Sequence, residues 1–73
     1  MDHLIYASVR MIASTWYAIA LLQQKTSNAA RATGIMHAEL YLSDLGIVDA
    51  AAAPYLEGAK QALKAGLSTE LKN

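Results

Sequence analysis

The distribution of apolar and polar positions over residues 4–22 is the strongest structural signal in the chain. The segment LIYASVRMIASTWYAIALL is long enough to cross a bilayer, yet at 100° per residue its side chains separate into two faces. The predicted apolar stripe consists of Ile5, Val9, Ile12, Trp16 and Ile19, and its edge is extended by Leu4, Met11, Ala18 and Leu22. The opposite face holds Tyr6, Arg10, Ser14, Tyr17 and Gln24. This separation predicts an amphipathic helix that covers a protein core.

Three features of the same segment argue against a membrane span. Arg10 lies near its middle, where a guanidinium facing lipid would cost at least about 2.5 kcal/mol. No cluster of Lys or Arg flanks the segment, and Asp2 and His3 do not form the basic start of a signal peptide. The stripe also alternates spacings of four and three, as in the seam between packed helices. We therefore expect a helical bundle.

The first helix is predicted over residues 3–25, with Asp2 as its N-cap. Thr26, Ser27 and Asn28 should then interrupt it, since their side chains compete for backbone hydrogen bonds. The alternative is that the helix continues to residue 33 and stops at Gly34. A second helix is predicted over residues 29–45, and Gly46 fits the position that follows a helix C-terminus.

A third helix is predicted over residues 54–66, because proline is best tolerated in the first turn and Pro54 would start it. Gly66 marks its predicted end, and residues 67–73 are predicted to be a frayed tail. Its predicted apolar face consists of Tyr55, Leu56, Ala59, Ala62 and Leu63. The predicted fold is therefore all-α: a helical hairpin or a three-helix bundle completed by oligomerisation.

Length and composition narrow the class of protein. A chain of 73 residues forms one small domain, whose core is marginal unless something else stabilises it. There is no cysteine, which excludes disulfides and thiolate metal sites and favours a reducing, cytoplasmic location. Six basic and six acidic residues cancel, so no overall field would attract nucleic acid or an anionic membrane.

The marginal core and the long apolar segment together predict assembly. The flank formed by Leu4, Met11 and Leu22 has no obvious cover within the chain, and such a strip usually marks an interface. The predicted interface residues are Leu4, Ile5, Val9, Met11, Ile12, Trp16, Ile19 and Leu22. The expected partner is a second copy of the chain, in a dimer or higher oligomer, or a larger protein.

The sequence contains no convincing catalytic or metal-binding set. His37, Tyr41 and Asp44 fall along one side of the second helix, but His37 and Asp44 would lie about 10 Å apart along its axis. That separation is too large for the direct hydrogen bond of a catalytic pair. The Glu-x-x-His spacing of helical di-metal sites is absent. We expect no enzyme, no metal and no cofactor.

A ligand site is the remaining chemical possibility. Tyr6, Arg10 and Tyr17 could place two aromatic rings beside a guanidinium, which suits an anionic or planar ligand. Lys25 and Arg31 bracket the polar turn KTSNAAR, where a helix N-terminus could attract phosphate or carboxylate. If copies assemble, these five residues could line one pocket between subunits.

The function expected from the sequence is that of a non-enzymatic interaction or assembly module, acting alone or as a small accessory subunit. The alternative is a protein that binds or sequesters an anion or a nucleotide through the tyrosines and the basic turn. A further alternative is a subunit of a membrane or filament assembly, because of the apolar segment over residues 4–22.

Overall fold

The computed structural model consists of three α-helices: α1 (His3–Leu22), α2 (Ser27–Asp44) and α3 (Ala53–Lys72), with a 3-10 turn at Asp49–Ala51 between α2 and α3. It describes the backbone of residues 1–72 and the side chains of residues 1–64. Over residues 1–72 there is no β-strand, which confirms the prediction of an all-α three-helix bundle.

Helix α1 begins as its sequence predicts and ends earlier. A carboxylate oxygen of the N-cap Asp2 accepts hydrogen bonds from the backbone N–H groups of Leu4 (2.9 Å) and Ile5 (3.1 Å). The predicted extension to residue 25 is wrong, because Gln24 adopts a left-handed conformation with φ 63°. The Lys25 N–H then donates to the carbonyl of Ala20 at 3.2 Å, the bond that closes a Schellman motif.

Helix α2 starts within the polar trio that was predicted to interrupt the chain. The Thr26 hydroxyl oxygen accepts from the backbone N–H of Ala29 at 3.1 Å, so Thr26 is the N-cap and the helix starts two residues earlier than predicted. At the other end Gly46 has φ 78°, and the Ile47 N–H donates to the carbonyl of Leu42 at 2.9 Å. The glycine therefore occupies the left-handed position predicted for it.

Helix α3 begins at Ala53, one residue before Pro54, which thus lies in the first turn. Its predicted end at Gly66 is wrong: the helix continues to Lys72, through most of the segment predicted to be a frayed tail. A glycine within a helix costs only about 1 kcal/mol relative to alanine. Neighbouring residues that favour helix, such as Leu67 and Leu71, can outweigh that cost. Asn73 lies outside the described residues.

The buried face of α1 differs from the stripe predicted from its large aliphatic residues. Its buried side chains are Val9, Ala13, Tyr17 and Ala20, which is a face rotated by about 75° at 100° per residue. Tyr17, predicted on the polar face, is only 5% exposed. Trp16, predicted at the centre of the core stripe, is 37% exposed.

Small residues explain this rotation. The buried positions of α2 are Ala30, Gly34, Ala38 and Leu42, one every four residues, and Val9, Ala13 and Tyr17 of α1 have the same spacing. A Cβ atom added at Gly34 would clash with the backbone carbonyl of Ala13. The two helices therefore touch backbone to backbone, which large aliphatic side chains in the contact would prevent.

Helix α3 covers the other side of α1 with the residues predicted for its apolar face. Tyr55, Ala59 and Leu63 are buried, and the ring of Tyr6 lies directly against Gly58. The contact between α2 and α3 is less extensive than the contact that either helix makes with α1. As a result, the side of the bundle opposite α1 has an open groove between α2 and α3.

Candidate functional site: the outer face of helix α1

The side of α1 that faces away from both other helices is apolar and uncovered. Leu4 is 81%, Met11 69% and Leu22 84% exposed. These three residues belong to a row that we call the outer face: Leu4, Ser8, Met11, Thr15, Ala18 and Leu22. The row has the alternating spacing of four and three residues that is typical of helix-packing seams, and it contains no charged side chain.

The outer face is flanked on one side by Ile5, Ile12 and Ile19, which recur every seven residues and are half-buried. Because the core uses a different face of α1, these isoleucines are not fully enclosed by the bundle. The outer face and its flank include every residue predicted for the interface except Trp16 and Val9. Val9 is fully buried between the helices of the same chain, so its prediction as an interface residue is wrong.

Trp16 connects this surface with α2. Its indole ring stacks on the imidazole of His37, with ring centroids 3.8 Å apart and an interplanar angle of 8°. This contact holds the half-buried His37 at the rim of the hairpin formed by α1 and α2. A stacked aromatic pair at the edge of the outer face has restricted side-chain freedom, which lowers the entropic cost of packing a partner against it.

The five residues predicted to bind a ligand do not form one site in the chain. Tyr6 and Arg10 do lie together, with the Arg10 guanidinium 5.6 Å from the Tyr6 ring centroid and its Nη1 donating to the Tyr6 hydroxyl at 3.4 Å. Tyr17 is buried in the core and unavailable to a ligand, so its prediction as a ligand residue is wrong. Lys25 is exposed in the turn after α1, whose last residue Leu22 lies about 24 Å along the helix from Tyr6.

Arg31 lies in a different environment from the one predicted. It borders a depression of about 290 Å³ between α2 and α3, which we call the basic depression because Lys60 and Lys64 of α3 border it as well. The remaining residues around it are Ile35, Glu57, Gln61 and Leu63. The two lysines were not among the residues predicted to bind a ligand. Their i, i+4 spacing, which places both lysines on one face of α3, was the sequence signal that could have identified them.

A second, larger concavity of about 490 Å³ lies in the groove between α2 and α3, beside the 3-10 turn. Its wall is mainly apolar, with the half-exposed Met36 and Leu40 on α2 and Leu56 on α3. Glu39 and Asp49 are the acidic residues at its border. The two ends of the groove therefore differ in charge.

Two further features of the described residues concern metal binding and membrane insertion. Within the described residues, no group of three or more His, Asp or Glu side chains is placed to hold a metal ion. Helix α1 is long and apolar enough to cross a membrane by length and composition, with a mean hydropathy of 1.3 over its most apolar window, and 22% of that window is buried in the bundle. A mostly buried core helix of a soluble protein and a signal sequence near the N-terminus both meet the same criterion.

The chain matches no protein-family model, and neither a curated protein nor a solved structure shows significant similarity to it.

Proposed function

We propose that this protein is a non-enzymatic assembly module that associates with a second copy of itself through the outer face of α1. The observation that supports the proposal is the uncovered row formed by Leu4, Met11 and Leu22. Folding of the single chain leaves these side chains in water, and burying each of them would contribute roughly 1.5–3 kcal/mol if it were complete.

The sequence of the outer face favours self-association with the two α1 helices antiparallel. In a twofold-symmetric pair, residue i of one copy faces residue j of the other and the reverse also holds. Centring such a pair on residue 13 places Leu4 opposite Leu22 and Met11 opposite Thr15. Ser8 then faces Ala18, and these small side chains permit the close approach of two helices. The leucines would meet at the two ends, and each Met11 would pack against the smaller Thr15 near the centre.

The absence of charge on the outer face also favours a second copy of the chain as the partner. The outer face contains no ionisable side chain, so two copies would not repel each other there. Arg10, the basic residue within α1, contacts Tyr6 on the side of α1 that packs against α3, away from the outer face. An uncharged apolar face is matched best by another uncharged apolar face, and the chain itself supplies one.

The size of the face indicates a reversible dimer. Helix α1 has 20 residues and a length of about 30 Å, so contact along one helix lies at the low end of specific interfaces, below about 1,200 Å² in total. We expect a dissociation constant on the order of micromolar, the range in which small interfaces of this kind act transiently.

The test is sedimentation equilibrium across a protein concentration series in buffer without detergent, with Met11→Lys as the disrupting variant. The wild type should change from monomer to dimer, whereas Met11→Lys should stay monomeric, since it places two like charges near the twofold axis. Met36→Lys is the matched control, because Met36 is also half-exposed but lies on α2, at the apolar concavity. It should dimerise like the wild type.

Three outcomes would overturn the proposal: a wild type that is monomeric at every concentration, equal effects of the two lysine variants, or a folded wild type that floats with neutral lipid vesicles. The last result would make the lipid bilayer the partner of α1, whose length and composition meet that requirement. Circular dichroism of each variant checks that the helices are retained.

A further inference from the structure

The basic depression brings together half of the chain's basic residues. Arg31 reaches it from α2, and Lys60 and Lys64 reach it from α3, while the whole chain has only six basic residues and no net charge. Glu57 is the acidic residue at its border. Positive charge is therefore concentrated locally in a protein that is neutral overall.

The three cations are only partly balanced within the chain, by Glu57, which stands i, i+3 to Lys60. Lys60 and Lys64 are separated by one turn of α3, and like charges at that spacing destabilise a helix. Arg31 from the facing helix adds a third positive charge to the same depression. An anion bound between the two helices would turn this repulsion into attraction, whereas the unliganded protein retains it.

The Arg31 side chain is already oriented. Its Nη2 donates to the side-chain oxygen of Asn28, one turn earlier in α2, at 2.7 Å, and the residue is half-buried. A guanidinium has five N–H donors, so this bond restricts its orientation and leaves further donors for a ligand. A guanidinium with free donors is well suited to a planar carboxylate or a phosphate, which accept two parallel hydrogen bonds.

Two of the residues that line the depression are apolar. Leu63 is 2% exposed and Ile35 is half-buried, so both present hydrocarbon between the charged residues. A volume of about 290 Å³ lies at the lower end of the range for small-molecule sites. The site therefore suits a small molecule that combines an anionic group with a short apolar part.

We infer that the basic depression binds a small amphiphilic oxyanion, with its carboxylate or phosphate group at Arg31, Lys60 and Lys64 and its hydrocarbon against Ile35 and Leu63. This site is separate from the outer face of α1, and the inference does not depend on dimerisation. It also differs from the ligand site predicted from the sequence, with which it shares only Arg31.

The experiment is a titration followed by ¹H–¹⁵N NMR, with three probes that separate the two parts of the ligand. Hexanoate has both the charge and the hydrocarbon, acetate has only the charge, and 1-hexanol has only the hydrocarbon. Hexanoate should give saturable shifts of the amides of Ile35, Lys60 and Leu63, and it should bind at least tenfold more tightly than either partial probe. Using Met11→Lys as the background keeps the protein free of any dimerisation through α1.

Variants that remove positive charge within the depression and outside it complete the test. The double variant Lys60→Gln/Lys64→Gln should weaken hexanoate binding at least tenfold, because two of the three cations at the depression are lost. Lys25→Gln removes one positive charge from the exposed turn between α1 and α2, at a residue that does not line the depression, and should bind hexanoate like the background protein. The inference is overturned if hexanoate produces no saturable shifts, if 1-hexanol binds equally well, or if Lys25→Gln weakens binding as much as the double variant does.

Discussion

Two tyrosines of the core differ in what their hydroxyl groups contact. The Tyr55 hydroxyl accepts a hydrogen bond from the backbone N–H of Asp2 at 3.0 Å and so ties the start of α1 to the start of α3. The Tyr17 hydroxyl is buried without a hydrogen-bond partner among the described residues. A buried hydroxyl without a partner loses its hydration and gains nothing in return.

Replacing these tyrosines by phenylalanine should therefore have opposite effects. Tyr17→Phe removes the unpaired hydroxyl and should raise the free energy of unfolding by about 1 kcal/mol. Tyr55→Phe removes a hydrogen-bonded hydroxyl and should lower it by about 1 kcal/mol. Urea unfolding followed by circular dichroism measures both. A loss of stability in Tyr17→Phe as large as that in Tyr55→Phe would show that the Tyr17 hydroxyl is hydrogen-bonded in solution.

Gly34 is the residue on which the close approach of α1 and α2 depends. A methyl group there would meet the backbone carbonyl of Ala13, which cannot move without shifting the helix. We expect Gly34→Ala to lower the free energy of unfolding by about 2 kcal/mol, even though alanine is the better helix former.

Gly58→Ala is the matched control for Gly34→Ala. The atoms that its methyl group would meet belong to the Tyr6 side chain, which can rotate, so the loss of stability should be smaller. Thermal unfolding of both variants distinguishes the two cases. An unchanged or raised melting temperature in Gly34→Ala would be incompatible with the backbone contact between α1 and α2.

At the scale of the element, the end of α1 is strained where the end of α2 is not. Both helices end in the same motif, but the left-handed position is occupied by Gln24 in α1 and by Gly46 in α2. A residue with a side chain pays roughly 1 kcal/mol or more in that conformation, whereas glycine adopts it freely.

We therefore expect Gln24→Gly to raise the free energy of unfolding by about 1 kcal/mol. Gln23→Gly is the control, because Gln23 has φ −85° and gains nothing from a glycine, so that variant should lose a few tenths of a kcal/mol. Urea unfolding at one protein concentration compares the two. Equal changes in stability would mean that the chain does not turn through a left-handed residue after α1.

The elements also show what hydrophobic periodicity can and cannot predict. Polar capping residues such as Asp2, and Gly46 with its left-handed φ, have local physical roles, so the sequence predicts where they act. The buried face of α1 is chosen by a different property, the smallness of Ala13 opposite Gly34. A pattern that ranks positions by hydrophobicity selects Trp16 and the isoleucines instead, none of which is fully buried in the core.

The two candidate sites also differ in how far the sequence predicts them. The exposed flank of Leu4, Met11 and Leu22 was predictable, because no other segment of a chain this short could cover it. The basic depression was not, since it joins Arg31 on α2 to Lys60 and Lys64 on α3, and their proximity depends on how two helices pack. Residues on one helix can be grouped from sequence spacing alone, whereas residues on different helices require the tertiary structure.

At the scale of the whole molecule, the proposed dimer predicts a particular orientation of the two copies. An antiparallel pair centred on residue 13 places position 4 of one copy beside position 22 of the other, whereas a parallel pair would place like positions together. The described residues contain no cysteine, and neither does the rest of the sequence, so single introduced thiols would report the orientation without competition.

We expect Leu4→Cys and Leu22→Cys, mixed in equal amounts under mild oxidation, to give the mixed disulfide well above the half of the products that random pairing gives. Both positions are exposed, so each thiol is accessible, and the rate depends on which thiols the dimer holds within bonding distance. At protein concentrations below the dissociation constant of the dimer, the thiols meet by random encounter. The products should then approach the statistical distribution, in which the mixed disulfide makes up about half. Mass spectrometry of the non-reduced products gives the ratio. Dominance of the symmetric disulfides would instead require a parallel dimer, in which Leu4 meets Leu4 and the match between Ser8 and Ala18 is lost.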